Sequence, residues 1–471
     1  MRGPAWVGKL ARRARLAALG ALCLLVIVAG STWLALRVTP LQTVSAAGQV
    51  ARVGGSEPSL TAPSLSGPGE LDLFGQVVPT RLRFTGPIRP RLELDHVSIT
   101  PQVVRQLRAA GAHHVELTFS QQLAAGWERY FLWETLIAAG FTALGLVVVY
   151  AVRRRPVAWK MVAGGVVAAC LINVGGIALT ASSTPRLLSS VRTLDDLVGV
   201  DTVAPPAAPV QARPNAQVVV MGDSTASGWG LPWGASPSAL DKGCGRSAES
   251  FAADLANVNS VNVLNLACGS ATIPDGLLGA QVLYNDQIAA PQLAIAEQAT
   301  HAGLIIVSVG ADDLQWGVMT QLCAASTVCN DKVSGAYFNQ LLSTFTRNYY
   351  ELLSQLDTLP WHPKILVNKY YTPFGSSVSC LSGYNMTQAK ARALESRLDQ
   401  LNTVLAQGAE AFQFSVVQPR FAGHELCDPS PYVQGPADPA PMHPNAPGQL
   451  AIALADEQQI ARLGLTQDLA S

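Results

Sequence analysis

The sequence predicts an α/β domain with a mostly parallel sheet, preceded by three membrane-spanning helices and a small β-rich unit. Three observations carry this. From residue 216 onward, short apolar runs of strand length alternate with longer amphipathic runs, the pattern of a parallel sheet with helices on both faces. Before residue 182, three apolar stretches are long enough to cross a bilayer. The 471 residues are 49% hydrophobic and 14% charged, with a mean hydropathy of +0.24, too apolar for an ordinary soluble chain.

Charge adds an exclusion. Thirty-two basic and 32 acidic residues give a formal net charge of zero, so no overall basic balance argues for a nucleic-acid partner. The basic clusters lie beside apolar runs and bear on membrane topology instead.

Residues 1–39 read as a basic tail and a first span. Arg2, Lys9, Arg12, Arg13 and Arg15 precede an uncharged apolar stretch over 16–36. A cleavable signal peptide is the rival reading. Its apolar region runs only about 7–15 residues, and Val44-Ser45-Ala46, the available cleavage site, falls well beyond this stretch. An uncleaved anchor is therefore expected.

Residues 40–128 are expected to form a small β-rich unit outside the cytoplasm. Pro, Gly and Ser dominate 54–69, and alternating runs at 71–74, 81–84, 91–94, 97–99 and 115–119 read as half-buried strands. Residues 101–110 read as one helix with Pro101 near its first turn. His113 and His114 have no neighbouring Cys or carboxylate cluster and read as surface or packed histidines.

Residues 129–182 read as a transmembrane hairpin, with apolar runs at 136–152 and 161–181 separated by Arg153-Arg154-Arg155 and Lys160. Cationic loops stay on the cytoplasmic side. The basic N-terminus marks the same side, so one three-span topology satisfies both clusters: 40–128 outside, 153–160 inside, and everything after 182 outside. Trp127, Tyr130 and Trp133 fit an aromatic belt at the outer end of the second span, where Glu134 also sits. Residues 183–215 are a connector, Pro- and Ala-rich and extended over 203–215.

Residues 216–471 are enough for one α/β domain with a large core. Strands are expected at 218–221, 261–266, 303–309, 364–371 and 412–417. Between them, Phe338, Leu341, Leu342, Phe345, Tyr349, Leu352, Leu353 and Leu356 share one face of a helix over 337–356.

The chemistry gathers at strand ends. Gly222-Asp223-Ser224 places a hydroxyl at the C-terminal end of the first strand, the edge where open α/β sheets bind ligands. A serine needs a base to become a nucleophile. Among seven histidines, His443 in Met442-His443-Pro444-Asn445 is held in a Pro-rich turn before the final helix; His424 and His362 are rivals on spacing. Two further patches, Cys268-Gly269-Ser270 and Gly310-Ala311-Asp312-Asp313, follow other strands. Trp229, Leu231 and Trp233 either line a pocket or pack their loop onto the domain. No phosphate-binding loop, nucleotide fingerprint or metal cluster appears, so no cofactor and no metal is expected.

Six cysteines, Cys244, Cys268, Cys323, Cys329, Cys380 and Cys427, fall in this half; Cys23 and Cys170 lie inside apolar runs. Outside the cytoplasm six cysteines are expected as disulfides, with fifteen pairings open. A zinc site is disfavoured because no Cys-x2-Cys pair occurs.

Ser224, Gly269, Asp312 and His443, in that order over residues 216–462, resemble the SGNH or GDSL-type hydrolases, in which Ser, Gly, Asn and His follow one another. The resemblance implies a flavodoxin-like three-layer sandwich. It makes Ser224 the nucleophile and His443 the base, and puts the oxyanion donors at the backbone N–H of Ser224, the backbone N–H of Gly269 and the side chain at 312. The spacing of the cysteines, with Gly423-His424-Glu425-Leu426-Cys427 at the end, resembles secreted three-disulfide bacterial lipases and implies pairs 244–268, 323–329 and 380–427. Two departures stand out. The acid that orients the histidine in many relatives lies three residues before it, where this chain has Ala440; either Asp438 or a backbone carbonyl fills the role. And Asp312 stands where relatives have Asn, with three consequences open: it is ionised and impairs the site, it is protonated and donates, or it turns away and leaves two backbone donors. The last version is the expectation.

The function implied is a serine esterase or lipase, anchored in the cell membrane with its catalytic domain outside, acting on acyl-ester substrates of lipids or envelope glycans. An O-acyltransferase using the same acyl-enzyme, or a catalytically impaired envelope-binding module, are the alternatives.

Overall fold

The computed structural model describes residues 5–46, 49–56, 66–73, 76–86, 88–96, 112–188, 215–285 and 287–465. These form two compact units.

In the N-terminal unit, helix α1 (Ala5–Val38) leads into strands β1 (Gln42–Ala46), β2 (Gln49–Ser56), β3 (Ser66–Leu73), β4 (Gln76–Thr85) and β5 (Arg89–His96), then helices α2 (Ala112–Val152) and α3 (Trp159–Leu188). The strands make one sheet in the order β1-β2-β5-β3-β4, with β1 antiparallel to β2 and Gln42 opposite Val53. Alternation places Leu71 and Leu73 of β3 inside, both 0% exposed. The expected strands at 71–74, 81–84 and 91–94 fall in β3, β4 and β5, with residue 74 outside the described residues. Those at 97–99, and the helix at 101–110, lie outside the described residues. The run at 115–119 is a correction: it is helical, part of α2. Its alternation of Val115, Leu117 and Phe119 is followed by Gln, Leu and Ala, good helix formers, and the helix continues into the span. Likewise α3 runs on to Leu188, past the expected start of the connector; residues 189–214 lie outside the described residues.

Three stretches of these helices are long and apolar enough to cross a membrane: Ala18–Val38, Ala125–Val152 and Trp159–Ala178. Trp133 is exposed, as an interfacial aromatic would be, but Tyr130 is fully buried. Its hydroxyl donates to the carbonyls of Leu36 (3.2 Å) and Gly55 (3.3 Å), and its ring packs with Leu36 and Ile88. Trp127 donates its indole N–H to Gly54 at 2.9 Å. These two aromatics therefore join helix to sheet. Glu134 is also buried and accepts from the Asn173 amide, which donates as well to Thr135 (2.8 Å); one amide on α3 thus ties the hairpin together through two polar partners on α2.

The C-terminal unit starts with β6 (Val218–Gly222), α4 (Ser224–Ser227), α5 (Ala239–Cys244), α6 (Phe251–Asn259) and β7 (Val263–Asn265). A small hairpin, β8 (Gln281–Val282) with β9 (Ile288–Ala289), leads to α7 (Gln292–Ala296), β10 (Leu304–Ser308), α8 (Trp316–Ala325) and α9 (Lys332–Asp357). The chain closes with β11 (Lys364–Asn368), α10 (Gln388–Ala411), β12 (Ser415–Val417) and α11 (Ala446–Arg462). The sheet order is β12-β11-β10-β6-β7 and every pairing is parallel, with Ser308 opposite Gly222. Every residue of β6 and β10 is buried, which explains why both strands read as unbroken apolar runs. Burial of each such Val or Ile is worth about 1.5–3 kcal/mol. Val218, Val220, Leu304 and Ile306 pack with Phe251 and Leu255 of α6 and Ile452 and Ile460 of α11. The intervening Val219, Met221, Ile305 and Val307 point to the other face, completing a three-layer sandwich.

In chain order the strands are arranged 2-1-3-4-5, the flavodoxin-like order, and the switch point lies between β6 and β10,. The loops after these two strands carry Ser224 and Asp312.

Candidate active site

The turn after β6 is held from several sides. A Cβ on Gly222 would lie 2.1 Å from the Ser308 carbonyl oxygen of the neighbouring strand, so only glycine fits,. The Gln292 side chain takes both backbone groups of Gly222, accepting from its N–H (2.8 Å) and donating to its carbonyl (2.9 Å). Asp223 caps α4 by accepting from Thr225 N (3.0 Å),, and it accepts from the Tyr370 hydroxyl. That hydroxyl in turn accepts from Ala311 N at 2.8 Å, so Tyr370 joins the serine turn to the Asp312 loop. Asp223 is therefore a brace, and Ser224 emerges from the turn 7% exposed.

His443 meets it. Nε2 lies 2.8 Å from Ser224 Oγ. Nδ1 lies 3.2 Å from the Pro441 carbonyl, which can only accept; Nδ1 therefore carries the proton and leaves Nε2 free to accept from the serine. Burial pushes the His443 pKa down, so the neutral, basic form is favoured,. The turn is clamped by Gln434, which is 3% exposed. Its side chain accepts from Ala440 N (3.1 Å) and donates to the carbonyls of Trp229 (3.0 Å) and Pro444 (3.2 Å). Tyr371 donates to the Met442 carbonyl at 2.7 Å, and Asn445 caps α11 by accepting from Gly448 N at 3.0 Å.

Asp438 is not brought to His443. Its carboxylate is exposed and accepts from Gly435 N at 2.7 Å, closing its own short turn. Of the two groups left open by the sequence, the structure puts a backbone carbonyl, that of Pro441, behind the histidine. His424 is also elsewhere, stacked on Tyr432 and bonded to the Ser430 carbonyl at 2.8 Å.

Gly269 calls for a second correction. Its N–H is already committed to the Cys244 carbonyl at 2.8 Å, and its carbonyl accepts from Gln281 at 2.7 Å. The next N–H, that of Ser270, is directed to the Asp312 carboxyl instead, and Ser270's φ of +60° is a left-handed conformation rare for a side-chain-bearing residue,. The backbone N–H groups of Ser224 and Ser270 reach the Asp312 carboxyl, and the Ser224 hydroxyl lies within reach of both that carboxyl and His443 Nε2, donating to one of them at a time,. Asp312 thus points into the site, against the expectation that it turns away. Its Oδ2 is buried with no partner.

Asp312 belongs to a group of three carboxyls with Asp313 and the fully buried Asp223. Asp313 accepts from Ile273 N at 3.1 Å, bracing the loop after β7, and its Oδ2 has no partner. Burial pushes Asp312 up to about 6 and Asp313 up to about 7. Burial also raises Asp223, reinforced by the charge of Asp312.

All six cysteines are joined in the pairs the resemblance implies, Cys244–Cys268, Cys323–Cys329 and Cys380–Cys427. Cys23 and Cys170 are unpaired. The first bridge carries Gly269 to Cys244, and Trp229 lies over it: a Cβ on Gly269 would sit 2.4 Å from the indole. Trp229 therefore packs its loop, while Trp233 is 51% exposed.

Residues 220–451 match the model of the GDSL-like Lipase/Acylhydrolase family, a span that includes Ser224, Asp312 and His443. They form a GDSL-like lipase/acylhydrolase domain. The family is one of ester hydrolases. The GDSL domain is 28% identical over 222 residues to Lipase 1 of Streptomyces coelicolor, covering 46% of this chain and 74% of that one. It is 26% identical over 240 residues to a lipase of Streptomyces rimosus, covering 49% and 81%. Among solved structures, it is similar to the extracellular lipase of Streptomyces rimosus at 21% identity and a TM-score of 0.42, covering 52% of this chain and 99% of that one.

Tyr370, Gln434 and Gln292 were not found by reading the GDSL domain's sequence. Each is a lone polar residue without a motif. The only available signal was Tyr370's place at the C-terminal end of an apolar run, the edge where such sheets carry their sites.

Proposed function

We propose that the chain is a membrane-anchored serine esterase whose catalytic domain lies outside the cytoplasm and cleaves O-acyl esters of lipids or envelope glycans through an acyl-enzyme on Ser224. The contact of His443 Nε2 with Ser224 Oγ at 2.8 Å carries this reading, because it joins a nucleophile to a base that is neutral and correctly protonated. As the serine oxygen bonds to the ester carbonyl carbon, its proton passes to Nε2. The carbonyl oxygen becomes an oxyanion facing the Ser224 and Ser270 N–H groups. Collapse expels the alcohol, which takes the proton from Nε2, and water then attacks the acyl-enzyme by the same route. Pro441 holds the Nδ1–H throughout. Being neutral, it orients the imidazolium but offsets its charge less than a carboxylate would.

In this reading residues 1–39 are a cytoplasmic tail and first span, 40–128 an outer β-rich unit, 129–182 a hairpin, 183–215 a connector and 216–471 the hydrolase. Exposed apolar residues along the helices, among them Leu22 and Leu25 on α1, Leu136 and Leu144 on α2 and Leu171 and Val174 on α3, support lipid contact,. The disulfides support an oxidising compartment.

The test is intact mass of the full chain in detergent after a fluorophosphonate probe. One adduct is expected, lost in Ser224→Ala. No adduct on the wild type would refute the reading. Ester turnover with and without added glycan then separates water from a sugar hydroxyl as acyl acceptor.

A further inference from the structure

Three carboxyls cluster beside the Ser224 turn, Asp223 fully buried and Asp312 and Asp313 each with a buried Oδ2, and among the described residues no lysine or arginine pairs with any of them. The groups that face Asp312 come from every neighbouring element. Asp313 is beside it, Asp223 and Ser224 lie on the β6 turn, Ser270 N–H comes from the loop after β7, Tyr370 from the end of β11, and His443 sits across Ser224. None of these brings a fixed positive charge. The two N–H groups that reach Asp312 have no other partner among the described residues. An ionised Asp312 is therefore an anion sitting where the reaction must build one. A protonated Asp312 has a free O–H and a buried Oδ2 awaiting a partner.

We propose that Asp312 works as a neutral carboxylic acid that donates its O–H to the oxyanion, and that its ionised form shuts the site by taking the Ser224 and Ser270 N–H groups for itself. This rests on the serine-esterase reading above and adds its regulation: the enzyme is acid-active and closes itself as pH rises. The departure from Asn is then an acid-gated donor.

The two limbs of the pH profile follow from opposite requirements. His443 must be neutral, so activity rises as pH climbs through its depressed pKa. Asp312 must be protonated, so activity falls as pH climbs through about 6. Two units higher, at pH 8, only about one site in a hundred retains the proton.

The experiment measures kcat/KM for a short-chain aryl ester from pH 4.5 to 8.5, using the full chain in detergent micelles, for wild type and Asp312→Asn. The wild type is expected to give a bell. The Asn variant keeps the rising limb and loses the falling one, so its rate relative to wild type climbs about a hundredfold between pH 5 and pH 8. If the Asn variant does not fold, Asp312→Ala must show the same loss of the falling limb at a lower level, since one donor is worth about 10²–10³ in rate. A variant that retains the falling limb overturns the inference. So does an Asn variant that is inactive at every pH while Ser224 still takes the fluorophosphonate. A wild type with neither labelling nor turnover at any pH overturns the esterase reading itself, and this inference with it.

Discussion

Tyr370→Phe removes a single oxygen, yet that oxygen serves two partners. It donates to Asp223, which is 0% exposed, and accepts from Ala311 N at 2.8 Å, while Tyr370 itself is 6% exposed. Asp223 is fully buried and Ala311 half-buried, so the phenylalanine leaves a buried carboxyl oxygen and a partly buried N–H unmet. Each costs about 1–3 kcal/mol, which sums to roughly 2–6 kcal/mol. For a domain of this size, each kcal/mol shifts the melting temperature by about 2–4 °C, so a drop of at least about 4 °C is expected. Activity should suffer as well, because Asp223 caps the helix that begins with Ser224 and Ala311 precedes Asp312. Loosening both sides of the oxyanion position predicts a fall in kcat of about tenfold or more, with a smaller change in KM. Thermal melting monitored by near-UV circular dichroism, run beside ester turnover, reads both. A variant that melts within 1 °C of wild type and keeps its kcat would refute the view that this hydroxyl couples the two loops.

Asp438→Ala should change kcat/KM less than about threefold, against the roughly 10⁴-fold loss expected of a histidine-orienting acid; a loss of that size would return Asp438 to the site. Mapping of unreduced peptides should recover no free thiol beyond residue 182. Chain entropy ranks the bridges by the loop they close: about 4 kcal/mol for Cys380–Cys427, about 3.5 for Cys244–Cys268 and about 2 for Cys323–Cys329, so removing Cys380–Cys427 should lower the melting temperature most. A different order would count against a chain-entropy origin of the stabilisation. A cysteine engineered into 153–160 should react on intact cells only with a permeant reagent; ready labelling by an impermeant one would sink the three-span topology.

The sequence by itself determined the fold of the C-terminal half. Strands buried on both faces must be apolar throughout, so β6 and β10 stand out as runs with no polar interruption, and amphipathic helices must lie between them. It also singled out Ser224 and His443, which the fold brings within 2.8 Å of each other, because each sits in a local motif whose turn chemistry is written in neighbouring residues: Gly222 and Asp223 before the serine, Pro444 and Asn445 after the histidine. The apolar helices were legible for a similar reason, since crossing a bilayer needs only length and composition.

What only the tertiary structure decided depends on where a hydrogen bond goes, and that is set by distant chain. Gly269 cannot be read as occupied until the Cys244–Cys268 bridge brings the Cys244 carbonyl to its N–H. Asp438 and the Pro441 carbonyl are both near His443 in sequence, but Asp438 is drawn to Gly435 N. Val115, Leu117 and Phe119 alternate like a strand, yet a helix already running into the span carries them with it. Whether Asp312 faces into the site or away was likewise open, because a residue's type states what it can donate or accept, while its partners are supplied by loops tens of residues distant.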